Sequence, residues 1–341
     1  MSVYTELTAQ HIASILADYS LGTLKSFTGI AAGIENSNFF IDMDNGERYV
    51  LTIFERLDAQ ELPYFMRLMK HLAANGLKSP DVQVRQDGSL IFDFEAEAGI
   101  KQGCIVSCLS GETLDFLNEA QLRSSGEALA TLHIAGSNFT EHRDNPTGFA
   151  WLEDTISEMQ ADVAKTYGQD AVDLLRDELA YQKQQCFDGL PEGVIHGDLF
   201  VDNILFEGDN VSGVIDFYYA HDAAYAMDIA IAINAQAIVL GDDDKQRMAA
   251  FLEGYESKRA LTADEKDALN GLLRLGALRF WVSRLFDALY PRGGAMTQTK
   301  DPEEYRRKLI LHRDSETNYL LRSPDNAKRL IESISELESG G

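Results

Sequence analysis

The chain has 341 residues, 45% hydrophobic and 25% charged, with a net charge of −25. This suits a globular protein of one large domain or two lobes, and the acidic excess argues against nucleic acid or an anionic membrane as partner. Three cysteines make no disulfide framework and fit a reducing cytoplasm; no secretory signal opens the chain, and its longest apolar stretch, 229–240, is too short to span a bilayer.

The first third reads as strand-rich. A short helix over 8–18, capped by Thr8, precedes a strand at 24–27. Strands at 38–43 and 47–55 follow around Asp44-Asn45-Gly46, and Asn-Gly between apolar runs is a strong hairpin signal. Asp58 opens a helix running to Ala74, with Glu61 at the capping-box position and Asn75-Gly76 closing it. A second hairpin is expected from 82–85 and 90–94 around Asp87-Gly88, then a strand at 104–109.

From Leu114 the apolar period becomes helical. Leu122, Ala128, Leu129 and Leu132 form one stripe, and 150–166 and 171–186 read as two more helices. A hairpin at 194–216 interrupts them. Helices are then expected over 224–240, 244–255, 263–275 and 277–290, with 302–312 and 326–337 closing the chain after a loop at Gly293-Gly294. The pattern predicts an α+β, bilobal, protein-kinase-like fold. Its antiparallel β-sheet N-lobe covers 1–109 and its mainly α-helical C-lobe 110–341.

The hairpin carries the chemistry. His196-Gly197-Asp198-Leu199-Phe200-Val201-Asp202-Asn203 is followed by Val214-Ile215-Asp216-Phe217. This is the parts list of phosphoryl transfer: Asp198 to orient a substrate hydroxyl, Asn203 and Asp216 as oxygen ligands for Mg²⁺. The bland alternative for Asp198 is a loop cap. His196 joins Asp198 in the catalytic set, as a residue that holds the loop by hydrogen bonds rather than a proton carrier. Asp202 reads as a turn residue outside the site.

The first lobe is expected to hold ATP. Residues 30–38, with Gly33, sit where a phosphate-covering loop would lie, although without a full G-x-G-x-x-G a plain turn reads equally well. Val50 is placed to roof the adenine, and Cys108, Leu109 and Ser110 to offer backbone groups at the hinge. One departure stands out. The usual kinase lysine, two residues beyond the roofing residue, is replaced by Thr52, which leaves Glu61 without the expected partner. Arg48 and Arg56 are the nearest cations along the strand.

The block from His196 to Phe217 resembles the aminoglycoside phosphotransferase and choline kinase superfamily, as do Gly126 to His133 and Asp228-Ile-Ala. The stretches 33–38, 49–55, 196–206, 215–218, 277–285 and 300–305 are similar to those of the type II homoserine kinase family, and the likeness spans roughly residues 10–312. It extends to the Leu-Thr-Ile strand that lacks the lysine. The resemblance implies ATP-dependent phosphorylation of the L-homoserine hydroxyl, a step toward threonine.

A zwitterionic amino acid needs a cation or amide for its carboxylate and a carboxylate or carbonyls for its ammonium. Arg279 and Arg284, in an apolar and aromatic helix, are candidates for the first, with internal salt bridges to Asp228 or Asp287 as the alternative. Glu35 and Asn38 are candidates reaching down from the loop. Two rival readings stay open: a kinase for choline, ethanolamine or an aminoglycoside, and a catalytically dead kinase-like binding protein, motivated by Thr52. Oligomeric state is not legible in the sequence.

Overall fold

The computed structural model describes residues 5–30, 36–55, 57, 59–96, 99–291 and 300–322. A short helix α1 (Ala9–Leu16) opens the chain, with a reciprocal cap between Thr8 and His11. Three strands follow, β1 (Leu24–Gly29), β2 (Asn36–Met43) and β3 (Arg48–Phe54), then helix α2 (Leu62–Ala74) and strands β4 (Phe92–Ala96) and β5 (Gly99–Ser107). They form one antiparallel sheet in the order β1-β2-β3-β5-β4. Alternation along the strands gives it two buried faces. Phe39, Ile41, Leu51, Ile53 and Ile105 pack with Ile12 and Leu16 of α1, whereas Phe54, Cys104 and Val106 pack with α2 and the helical body.

Two features differ from the sequence reading. Residues 82–85 do not pair with 90–94. Instead β4 takes the first half of the β5 edge, and Val82 and Gln83 take the remainder, bridging to Val106 and donating to Ile105 O at 2.8 Å. Helix α2 starts at Leu62 rather than at Asp58, with Pro63 in its first turn, where a missing N–H costs nothing. Glu61 stands at its start but makes no capping bond, and Asp58 lies outside the described residues.

The second part is helical: α3 (Glu119–Gly136), α4 (Phe149–Tyr167), α5 (Gln169–Gln182), α6 (Tyr225–Ala232), α7 (Asp244–Glu256), α8 (Ala263–Leu289) and α9 (Pro302–Arg322). Between α5 and α6 run four short strands, β6 (Glu192–Ile195), β7 (Ile204–Glu207), β8 (Asn210–Val214) and β9 (His221–Ala224), paired β7 with β8 and β6 with β9. Helix α6 ends in a π-helical turn over Ile233–Ala237. Where two helices were expected over 263–290 there is one. Gly276 does not break it, and a Cβ there would lie 3.3 Å from Asn234 Nδ2, so the glycine admits a close crossing under α6. The predicted helix at 326–337 and the Gly293-Gly294 loop lie outside the described residues. No described helix is long and apolar enough to cross a membrane.

A single buried core joins α2 to the helical body. Its tightest contact is α3 on α7. A Cβ on Gly126 would lie 2.1 Å from Phe251 O, and one on Gly254 would lie 2.0 Å from Arg123 O. In a free helix Gly→Ala gains about 1 kcal/mol. Here the sign is set by backbone overlap. We expect Gly126→Ala to destabilise the protein by about 3 kcal/mol, read as a lowered urea midpoint at unchanged m.

Candidate active site

Strand β6 delivers the chain to His196 and then into a turn at Gly197, whose φ of 75° and whose Cα only permit glycine: a Cβ would sit 2.8 Å from Tyr219 O. The two consecutive N–H groups of His196 and Gly197 donate to the two oxygens of Asp228, at 2.7 and 2.9 Å. Asp228, in the first turn of α6, is fully buried. Its third donor is His133 Nε2, at 3.1 Å. The remaining nitrogen of His133 then accepts from Tyr255 OH at 2.7 Å, and that hydroxyl accepts from Arg259 at 3.1 Å. Burial opposes the charge on Asp228, but the donors from His133 and the backbone hold its carboxyl below the usual range.

His196 is fully buried, and both ring nitrogens are spent on backbone. A carbonyl can only accept, so Nε2 carries the proton to Ile215 O at 3.0 Å, and Nδ1 receives Asp198 N at 3.3 Å. Burial lowers its pKa, which keeps the ring neutral. The ring packs on Phe217 at 4.9 Å. His196 thus clamps the strand end before Asp216 onto the loop bearing Asp198 and does not present a nitrogen to the cleft.

Asp198 is half-buried. Asn203, in the 3-10 turn Val201–Asn203, donates through Nδ2 to Asp198 O at 2.8 Å and to Asp198 Oδ2 at 3.3 Å. That commitment leaves Asn203 Oδ1 as the atom for a cation. Ile215 N donates to Asn203 O at 3.0 Å, which puts Asp216 next to Asn203. Asp216 is exposed and left-handed, φ 67° and ψ 63°, a strained conformation for a residue with a Cβ. Two oxygen ligands suit a hard cation that keeps waters and phosphate oxygens for its other positions.

The structure places the nucleotide candidates along one strip. Val50 and Thr52 lie on β3, and Cys108 and Leu109 lie just past Ser107, the last β5 residue paired with β3. Ser110 O is already bound by Ser212 Oγ at 2.6 Å, so the hinge is stitched to β8. Thr52 is buried and donates to Asn38 Oδ1 at 2.7 Å. Asn38 is thus tied within the sheet. Arg48 pairs with Asp42 at 2.6 Å. Lys101 pairs with Glu55 and Thr5 on the α1 side of the sheet, away from Thr52. Gly33, Glu35 and Arg56 lie outside the described residues.

Glu61, expected to lack a partner, has one. Arg143, in the segment after α3, donates to its carboxylate at 2.8 Å and to Ala220 O at 3.2 Å, while its own N–H goes to Asp222 at 2.8 Å. The head of α2 is thereby tied to the chain just past Asp216. No local signal marks Arg143; only the fold brings it there.

The two arginine candidates part company. Arg279, in α8, donates to Gly197 O at 3.0 Å and to Thr147 Oγ1 at 2.7 Å, within electrostatic reach of Asp198. Arg284 is paired with Glu304 of α9 at 2.7 Å. Arg284 thus makes the internal salt bridge that was its alternative, with Glu304 in place of Asp228 or Asp287. Asp202 is exposed and paired with Lys300 at 3.0 Å.

The loop also rests on the π-helical turn. Gln236 donates to Leu199 O at 2.8 Å and accepts from Ser125 at 2.6 Å. Asn234 accepts from His312 at 2.8 Å, and its backbone carbonyl accepts from Lys308 at 2.7 Å.

A five-stranded sheet over a helical body, with Asp198, Asn203 and Asp216 on one loop and hairpin, is the plan of a kinase-like phosphotransferase. The family model described as "Phosphotransferase enzyme family" matches residues 26–265, and the chain belongs to that family as an ATP-dependent kinase. It is 41% identical over 310 residues to a homoserine kinase of Methylobacillus flagellatus, covering 91% of this chain and 94% of that one. It is 39% identical over 311 residues to a homoserine kinase of Neisseria meningitidis, covering 91% and 99%. Among solved structures, an amicoumacin kinase in complex with AMP-PNP, Ca²⁺ and Ami aligns with a TM-score of 0.64 at 14% identity, over 89% of this chain and 92% of that one. An aminoglycoside phosphotransferase from Alicyclobacillus acidocaldarius aligns at 0.63 and 15%, over 96% and 97%. These two support the fold.

The buried histidines set a pH dependence. Burial, with Lys308 and Arg274 nearby, pushes His312 down to about 4, and burial also lowers His133, His196 and His221. Between that value and the ordinary 6.5, the unfolded chain binds protons that the folded chain does not, so stability rises with pH. His312 alone should cost about 2 kcal/mol as pH falls from 7 to 5. Urea unfolding at the two pH values measures it, and equal stabilities would contradict it.

Proposed function

We propose that the chain transfers the γ-phosphoryl group of ATP to the side-chain hydroxyl of L-homoserine, giving O-phospho-L-homoserine, in the cytoplasm. The observation that supports this acceptor best is the identity of about two residues in five, over nine-tenths of the chain, with homoserine kinases. Nucleotide binding is assigned between an N-lobe of residues 1–109 and a C-lobe of 110–341, with Val50 over the adenine and the backbone of Cys108 and Leu109 at its edge.

In this reading Asp198 accepts a hydrogen bond from the acceptor hydroxyl and points its oxygen along the transfer axis. Because the transition state is loose, positioning and electrostatics supply most of the rate. Asn203 Nδ2 holds that carboxylate in place, and Asn203 Oδ1 with Asp216 would hold Mg²⁺. A magnesium ion there would supply charge neutralisation for the β- and γ-phosphates. Thr52, hydrogen-bonded to Asn38, stands where a strand-three lysine would and brings no charge toward the phosphates. Arg279, bonded among the described residues to the uncharged oxygens Gly197 O and Thr147 Oγ1, faces the acceptor carboxylate; Arg284 is neutralised by Glu304 and acts through packing.

A coupled ADP-release assay with Mg-ATP and homoserine, choline, ethanolamine and kanamycin separates the readings. We expect turnover of homoserine. Turnover of choline alone would defeat the assignment, and a chain inert toward all four would favour the dead-kinase alternative. Asp198→Asn should lower kcat by about 10³-fold while nucleotide affinity holds; near-normal activity would show that the carboxylate has another role.

A further inference from the structure

Tyr305 lies in the first turn of α9 and is fully buried, yet its hydroxyl has no hydrogen-bond partner among the described residues. An unpaired buried hydroxyl costs roughly 1–3 kcal/mol, and phenylalanine would fill the same space without that cost. The ring is held firmly. It packs against Phe280 at 5.3 Å and Phe200 of the Asp198 loop at 6.3 Å, with the Arg284 guanidinium 4.4 Å from its centroid. Asp198, Arg279, Arg284 and Glu304 all lie within electrostatic reach of its hydroxyl. Phe200, Phe280, Arg279 and Arg284 around it each keep a small exposed fraction, under one-tenth.

The hydroxyl is a donor. Burial pushes its pKa far above the ordinary tyrosine range, so it stays protonated. A fixed donor beside a guanidinium whose own bonds go to Gly197 O and Thr147 Oγ1 makes a pair suited to an anion. The neighbouring cation Arg284 is already matched by Glu304. An amino-acid acceptor carries one such anion, its carboxylate, a few bonds from the hydroxyl presented to Asp198.

We propose that the Tyr305 hydroxyl donates a hydrogen bond to the acceptor carboxylate, alongside Arg279, and sets the preference for an amino acid over the corresponding amino alcohol. This rests on homoserine as acceptor. The residue is specificity-determining rather than part of the transfer machinery.

Tyr305→Phe tests it with three acceptors: homoserine, 4-hydroxybutanoate, which keeps the carboxylate, and 3-aminopropan-1-ol, which keeps the ammonium. A charge-assisted bond predicts KM raised about 10- to 100-fold for homoserine and 4-hydroxybutanoate, with the loss in KM rather than kcat. The amino alcohol should be used as by the wild type. The thermal midpoint should equal or exceed that of the wild type, because an unpaired buried hydroxyl is removed. An unchanged KM for homoserine would overturn the proposal, as would a loss on the amino alcohol alone. An equal loss on all three with a lowered midpoint would mark the hydroxyl as structural and also overturn it. A wild type that does not use homoserine defeats the acceptor assignment first, in an experiment that does not involve the variant.

Discussion

One buried carboxylate organises this protein. Asp228 accepts from two successive backbone N–H groups and one imidazole, in a place from which water is excluded. An ionised carboxylate there is tolerated only because every donor is in place, and removing any one would leave charge unmatched in a medium that cannot screen it. The demand runs outward in both directions. It fixes the turn at Gly197 and hence the start of the Asp198 loop, and it fixes the tautomer of His133, which ties α3 to Tyr255 of α7. The glycine contacts that bring α3 and α7 within backbone distance serve the same end.

From that anchor the loop is supported by hydrogen bonds on three sides. His196 joins it to the Asp216 strand end, Gln236 of the π-helical turn holds Leu199, and Arg279 holds Gly197 from α8. Among the described residues of the site, Asp216 is the one with a left-handed non-glycine backbone. The other lobe is joined through Arg143, which couples the head of α2 to the segment beyond Asp216 without a strand-three lysine.

Much of this was legible in the sequence where local rules govern. The Thr8 cap, the hairpin of β2 and β3, the H-x-D-x-x-x-x-N loop and the return strand to Asp216 follow from residue type and spacing. What escaped depended on distance. The 82–85 segment has the look of a hairpin arm, but its partner is the leftover edge of β5. Gly276 looks like a helix stop, because the sequence does not show Asn234 pressing against it. Glu61 fits a capping box, and only the fold offers it Arg143. The buried phenol of Tyr305 carries no local mark at all, since lacking a partner among the described residues is a property of its surroundings.

The placement of α8 and α9 carries a consequence for how such a chain diversifies. The family match ends at residue 265, the third residue of α8, whereas Arg279, Arg284 and Tyr305 all lie beyond it. The transferring apparatus and the surface that would choose the alcohol are therefore consecutive rather than interleaved, and the second can drift while the first is kept. Of the bonds that cross this divide, the one from Arg279 to Gly197 O reaches the turn just before Asp198. A lineage that exchanges one acceptor for another has to preserve that bond or rebuild it, and so the same arginine limits how freely the pocket can be rewritten.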